Sequence, residues 1–432
     1  MKKDGGIMKM FFTPLKQSKL VLLLAMILAT GLLIVGCSGS DSYTNHTKQA
    51  LTLTPTPLIE PATLKSWMDQ GLVNAAAHSE NVVILQVSPD TAYDDSPSIP
   101  GAYLWDQGLL NANRLEGLAF NGTMTATGET MDAILQPAGV NGNSTIVLTF
   151  VGTGAADLYR VSRAYFHLRY WGFPKERIKL LNGGNAAWEA SIADNSWDIA
   201  TYGMDVYVKP EPRTSSFSVR DNGALQDGLR YSIGEMLQAV DANLASMDAT
   251  TTRTINIIQQ AAPGAHIILH ATGIPHAEFS KEEDGLRRFK TAEELVTLLE
   301  TNDINSNLVT ITHCVSATSC APSFFALDAI LGWPAAIYDG SASQWNAYRG
   351  IKTGVGEGGV IPNTAWDTNP RSVDTAGTTA TDIIDPKLNT LYLTIDDPRA
   401  NQIENEDWEY MLTPRQTTTP PSSVGGGAPS GC

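Results

Sequence analysis

The chain has 432 residues, a formal net charge of −16, 43% hydrophobic residues and only four cysteines. That length accommodates two domains with full cores plus extensions. The acidic balance argues against nucleic-acid binding, which needs a basic face to neutralise phosphates, and the few cysteines exclude a disulfide-stapled scaffold or a zinc-type CxxC pair.

The chain opens with Lys2, Lys3, Lys9, Lys16 and Lys19, followed by an uncharged apolar run from Leu20 to Gly36 that stops at Cys37. The run is short for a transmembrane span. Its ending in Gly36-Cys37, followed by Ser38-Gly39-Ser40-Asp41-Ser42, favours a removed leader over a span. The pattern resembles a bacterial lipoprotein signal, which implies cleavage after residue 36, acylation of Cys37 and, with Ser38 next, an outer-membrane address. Loss of the leader makes the remaining chain more acidic still, a property that keeps an exported protein soluble. Residues 37–57, with Leu53-Thr54-Pro55-Thr56-Pro57, read as a flexible stalk.

A first domain is expected over 58–208. Val82–Leu85 and Ser144–Phe150 read as buried strands, and 131–135 and 155–170 as helices. A Pro- and Ser-bearing connector, 209–224, separates it from a second domain over 225–352. There the strands are 255–258, 309–312 and 335–338, and the helices 233–244, 292–299 and 323–331. Alternation of strands and helices predicts an α/β fold with parallel sheets covered on both faces. Residues 353–432 form an extension that opens on Gly354-Val355-Gly356-Glu357-Gly358-Gly359. Its Thr/Pro/Gly-rich tail has a disordered composition and ends at Cys432.

The most informative position is Cys314. It follows the β-branched run Leu308–His313 and precedes Val315-Ser316-Ala317-Thr318-Ser319-Cys320, after which Ala321-Pro322 opens a helical pattern. A cysteine between a strand's end and a helix's start sits where N–H groups converge and the helix dipole is positive, which lowers the thiol pKa. The alternative is an inert, packed cysteine. The N–H groups of Val315 to Cys320 are candidates for an anion-binding nest, with hydroxyls from Ser316, Thr318 and Ser319. Cys320 is either a small residue under the loop or a resolving thiol. Cys432 is either a mobile acceptor or incidental.

These features resemble the rhodanese family of sulfurtransferases, whose nucleophilic Cys starts a six-residue loop leading into a helix. Family domains end in a Gly-rich turn followed by Trp, seen here as Tyr338-Asp339-Gly340-Ser341-Ala342-Ser343-Gln344-Trp345. The same ending occurs as Leu181-Asn182-Gly183-Gly184-Asn185-Ala186-Ala187-Trp188, after Arg169-Tyr170-Trp171-Gly172-Phe173. The family's Ile-Pro-Gly-Ala segment appears as Ile99-Pro100-Gly101-Ala102. Two such endings resemble the tandem thiosulfate and mercaptopyruvate sulfurtransferases, over residues 60 to 350.

The resemblance implies two tandem rhodanese-like domains, each a parallel sheet flanked by helices, with a C-terminal extension. It implies that Cys314 takes sulfane sulfur from a small-molecule donor as a persulfide and passes it to a thiol or cyanide, with no metal or organic cofactor. Val315, Ser316, Ala317, Thr318 and Ser319 would bind substrate, with Arg230, Arg287 and Arg288 as candidate cations. His276 and His313 would tune the thiol or serve as structural donors.

The chain departs from the family at several points. Val315 and Ala317 stand where glycine is frequent, and a Cβ at a positive φ costs about 1 kcal/mol. Gln259-Gln260-Ala261 replaces an acidic residue and an arginine, and Gly273-Ile274-Pro275-His276-Ala277 only loosely matches the Ile-Pro-Gly-Ala segment. In the first domain Val151-Gly152-Thr153-Gly154-Ala155-Ala156 carries no cysteine, so no persulfide is expected there, and Trp171 and Trp188 read as core residues. The rival expectation is a non-catalytic accessory lipoprotein of an envelope complex handling electrons or sulfur or selenium oxyanions.

Overall fold

A computed structural model describes residues 56–75, 81–95, 97–117, 119–204, 210–213, 215–262, 267–349, 365–373 and 398–414. The leader, Cys37, most of the stalk, Lys209 and Thr214 of the connector, the 354–359 run, the tail and Cys432 lie outside them. The described residues fall within one compact unit, Leu51–Cys432.

The first half contains strands β1 (Leu58–Ile59), β2 (Val82–Ser88), β3 (Tyr103–Asp106), β4 (Ala112–Glu116), β5 (Ala119–Met124), β6 (Thr145–Phe150) and β7 (Ile178–Leu181). β2 and β6 are buried at every position, the pattern of parallel strands covered on both faces. The sheet order is β1-β7-β6-β2-β3, all pairs parallel, while β4 and β5 form an antiparallel hairpin. The helices are α1 (Pro61–Asp69), α2 (Asp90–Asp95), α3 (Gly128–Leu135), α4 (Ala155–Tyr170), α5 (Gly184–Asp194) and α6 (Ile199–Tyr202).

The second half repeats this plan with β8 (Arg230–Tyr231), β9 (Asn256–Gln259), β10 (Thr272–Gly273), β11 (Ser280–Glu283), β12 (Leu286–Phe289), β13 (Thr310–His313) and β14 (Ala335–Tyr338). Its sheet runs β10-β9-β13-β14-β8, all parallel. Read from the opposite edge, this is the first sheet's order. β11 and β12 form a separate hairpin. The helices are α7 (Ile233–Thr250), α8 (Ala292–Thr301), α9 (Ala321–Phe325) and α10 (Ser341–Ala347), and α11 (Gln402–Leu412) follows in the extension. α7 and α8 begin with capping boxes, Ser232 with Glu235 and Thr291 with Glu294, each satisfying amides that have no intrahelical partner. α9 starts at Ala321, two residues before the expected helix, and continues as a π-helical turn over 326–331.

The two halves share a core because α4 of the first packs on α9 of the second. Tyr165 meets Phe325 edge-on at 4.8 Å, and Phe166 meets Phe324 at 5.4 Å. Beside this apolar contact lies a buried ionic cluster. Arg163 of α4 pairs with Asp339 at 2.5 Å, and Arg230 pairs with Asp339 at 3.0 Å and Glu116 at 2.8 Å. Such charges stay buried only where partners and hydrogen bonds compensate them. α11 spans both halves: Asp407 takes Arg114 at 2.7 and 3.0 Å, Glu404 accepts from Arg230, and Tyr410 donates to Asp132. Trp171 and Trp188 are fully buried. Among the described residues no helix is long and apolar enough to cross a membrane.

Candidate active site

β13 delivers the chain to Cys314 at the carboxyl end of the second sheet, where ligand sites form in open α/β sheets. The loop's start is fastened to the first turn of α10. The Cys314 N–H donates to Ser341 Oγ at 3.3 Å, and the N–H groups of Ala342 and Ser343 donate to the carbonyls of Cys314 and Val315, each at 3.0 Å. Ala317 then turns the loop back with φ +58° while fully buried. The positive φ foreseen for this region therefore falls on Ala317. Val315 instead points outward and is 69% exposed. The loop closes onto α9, where Ser323 Oγ donates to the Cys320 carbonyl at 2.6 Å.

Within this turn Cys314 is only 3% exposed. Burial pushes its thiol up. The side chains of Cys320 and Ser319 and the backbone N–H groups of Ser316 and Cys320 favour the anion, and together they bring it down to about 5. The sulfur is thus held as a thiolate at neutral pH without a cation in the loop. Thr318 turns its hydroxyl to the Ser316 carbonyl at 3.2 Å and lines a cavity of about 350 Å³ with Asp90, Asp106 and Arg160 of the first half. Burial raises the Cys320 thiol, and the neighbouring Cys314 charge raises it further. Both cysteines are free.

The three candidate cations separate. Arg230 is fully buried in the ionic cluster with Glu116, Asp339 and Glu404, so its place is corrected from a substrate contact to an internal counter-ion. Arg288 reaches across to Glu60 at 2.9 Å and to the Asn182 carbonyl at 3.3 Å, which ties the halves together. Arg287 acts on His276, as Cys314 does. Burial lowers the pKa of His276, the Cys314 charge raises it and the Arg287 charge lowers it, so the three groups share one electrostatic neighbourhood. Arg287 Nε is buried with no hydrogen-bond partner among the described residues. His276 also meets Tyr159 of α4 edge-on at 5.4 Å. His313 is buried at the end of β13, with its ring 6.4 Å from Tyr338.

Sequence reasoning missed Tyr159, Arg160, Arg163 and Asp339. The first three lie on a helix of the half without a cysteine, and no local pattern links them to a loop far along the chain. Asp339 sits inside the Gly-rich turn that was recognised, where an acidic residue reads as an ordinary turn former. Gln260, in the Gln259-Gln260-Ala261 stretch, braces α9 by donating to Ser323 Oγ at 3.0 Å. Among the described residues no group of three or more His, Cys, Asp or Glu is placed to hold a metal.

No protein-family model matches the chain. It is 24% identical over 287 residues to a putative thiosulfate sulfurtransferase of Haloferax volcanii, covering 65% of this chain and 91% of that protein. It is 25% identical over 284 residues to the sulfur carrier protein TtuD of Thermus thermophilus, covering 64% and 92%. Among solved structures, SseA of Escherichia coli, described as a 3-mercaptopyruvate sulfotransferase with a rhodanese fold, aligns with a TM-score of 0.47 at 19% identity, over 66% of this chain and 98% of that one. Over about two thirds of its length the chain is therefore similar in sequence to proteins named for sulfur transfer and sulfur carriage.

Proposed function

We propose that this chain is a rhodanese-type sulfurtransferase in which Cys314 accepts sulfane sulfur from a small donor, thiosulfate or 3-mercaptopyruvate, and passes it to a thiol or cyanide. The observation that carries the reading is the Cys314 sulfur, held as a thiolate by donors from Ser316, Ser319 and Cys320. A thiolate is the species that attacks a sulfur donor. Arg287, with its unpartnered Nε, is the cation best situated to meet a donor's carboxylate or sulfonate oxygen. His276 stays neutral beside it. The first half, with Val151–Gly154 in place of a cysteine loop, supplies Tyr159 and Arg160 as walls.

The test is an assay with thiosulfate and with 3-mercaptopyruvate, comparing wild type with Cys314→Ser. Transfer by the wild type alone supports the reading, and equal rates in the two proteins overturn it. The accessory-protein reading draws on the 3% exposure of Cys314 and on the commitment of Arg230 to the interior. It gains if neither donor is consumed while the folded protein is retained by an envelope complex.

We also propose that Cys37 carries acyl chains and tethers the protein to the outer membrane. Cys37→Ala should leave the chain either uncleaved or released into the soluble fraction. Cleaved, unmodified wild type in that fraction would refute the tether.

A further inference from the structure

Cys320 closes the active loop and caps α9, with no exposed surface. Cys314 and Cys320 pack in one buried cluster, and protonated Cys320 favours the Cys314 thiolate, so the two side chains act on each other inside one turn. The charge of Arg163 acts on the Cys320 sulfur from α4, and the Thr312 hydroxyl donates to the Ala336 carbonyl at 3.4 Å. Arg163 is itself fully buried. Its Nη2 holds Asp339, yet its Nε and Nη1 have no hydrogen-bond partner among the described residues. A buried donor left unpaired destabilises the fold. A guanidinium kept at that cost near a thiol suits a state of the site in which the thiol carries negative charge.

We propose that Cys320 is an internal resolving thiol, which attacks the Cys314 persulfide, expels the outer sulfur as hydrosulfide and leaves a Cys314–Cys320 disulfide. The proposal rests on the persulfide reading above and adds a second activity to it, release of sulfide.

Atoms and electrons balance without an external oxidant. Before sulfur transfer the Cys314 thiolate holds the proton on Cys320. Once Cys314 Sγ bears a sulfur atom, the charge moves one atom outward and that hold is lost, while Arg163 still favours the Cys320 anion. The Cys320 proton passes to the outer sulfur. The Cys320 electron pair then forms the new S–S bond to Cys314 Sγ, and the old S–S pair leaves with HS⁻. The sulfane sulfur is reduced to sulfide as the two cysteines are oxidised to a disulfide. A small dithiol then returns two electrons and two protons to restore both thiols.

The full-length chain is loaded with sodium tetrasulfide, freed of excess and followed by intact mass and sulfide trapping. In the wild type an adduct of about 32 Da, one sulfur atom on Cys314, should disappear as sulfide is released. A non-reducing peptide map should then join Cys314 to Cys320. In Cys320→Ser, and in Cys320→Ala as a second small variant, the adduct should last about tenfold longer or more. Arg163→Met should lengthen its life in the wild-type background and not in the Cys320→Ser background, a pattern that general loosening of the fold does not produce. An adduct equally long-lived in wild type and Cys320→Ser overturns the resolving role and leaves the persulfide reading standing. Absence of any adduct on Cys314 in both proteins overturns both.

Discussion

The two halves of this chain have the same sheet order, the same Gly-rich turn after the last strand and a fully buried tryptophan closing that turn, Trp188 in one and Trp345 in the other. They part at two places. Between β6 and α4 the first half has only residues 151–154, three of them exposed, whereas between β13 and α9 the second half folds residues 314–320 around a sulfur. In the turn, the first half reaches left-handed backbone through Gly183 and Gly184, at φ +89° and +62°, and the second reaches it at Ser341, at φ +49°. The second half also places Ala317 at φ +58°. Backbone that a side chain dislikes is thus found around the thiolate in the second half and relieved by glycine in the first, in keeping with strain held at a site by its surroundings. At Ser341 the compensation is visible: its hydroxyl donates to the Tyr338 carbonyl at 2.9 Å and accepts the Cys314 N–H.

The largest effect is expected at the sulfur itself. Cys314→Ser should reduce sulfur transfer to background, a loss on the order of a thousandfold or more. Val151→Cys, which places a thiol just after β6, should gain no sulfur in intact-mass analysis. Sulfur on the Val151→Cys thiol would break the contrast, because it would show that the sheet's edge suffices without the longer loop. The pH dependence sharpens the same point. The Cys314 thiol is depressed to about 5 in the fold against about 8.5 for a free cysteine. Alkylation of the wild type should therefore follow a titration near pH 5. Because the folded value is the lower one, the stability this thiolate contributes is complete above the free-thiol range and is lost as pH falls through about 5. In Cys314→Ser that component should be missing from the stability-versus-pH curve.

Next in size is Asp339→Asn, which gives the second half the residue its counterpart has at Asn182. Arg163 and Arg230 would then share no carboxylate, and breaking a buried pair of this kind costs about 3–5 kcal/mol, measurable by urea unfolding. Arg163 and Arg230 hold the Asp339 carboxyl well below its ordinary range despite burial. Its stabilising contribution is therefore present above about pH 4 and fades below that as pH falls toward the folded value. The wild type should lose stability in acid more steeply than Asp339→Asn.

Smaller still is Ser341→Gly, which copies Gly184 into the second half. Relief at positive φ and loss of the hydroxyl's bonds oppose each other, each about 1 kcal/mol. The melting temperature should change little, while alkylation of Cys314 should slow as its loop loosens. Ala317→Gly is the mildest change. Removing a Cβ at positive φ should stabilise the fold by up to about 1 kcal/mol after the unfolded-state cost of glycine. A destabilised Ala317→Gly protein would show that the Ala317 methyl packs more strongly than its backbone resists.

Apolar strands and long helices were legible because burial on both faces and helical periodicity leave a mark within a short window: β2, β6, α4 and α7 agree with the pattern read from their residues. The hairpins β4–β5 and β11–β12 were not foreseen. Arg114, Glu116, Arg287 and Arg288 give them polar sequences, and Arg114, Glu116 and Arg288 find partners on other elements. Cys314 was legible from its strand–loop–helix setting. Its donors were only partly so, because N–H direction depends on the turn at Ala317, and the roles of Arg163 and Arg230 depend on contacts between residues more than a hundred positions apart.

The reach of α11 has a consequence for the order in which the chain can fold. Arg114 is threaded early in synthesis, and its side chain, 6% exposed, is matched by Asp407 near the other end of the described chain. Tyr170 and Asp132 in the first half likewise find their partners in Asp407 and Tyr410. The nascent first half therefore holds a cation, a phenol and a carboxylate without their final partners until α11 has been made. Completion of the native state is tied to the arrival of α11, and a chain without α11 leaves the charge of Arg114 uncompensated.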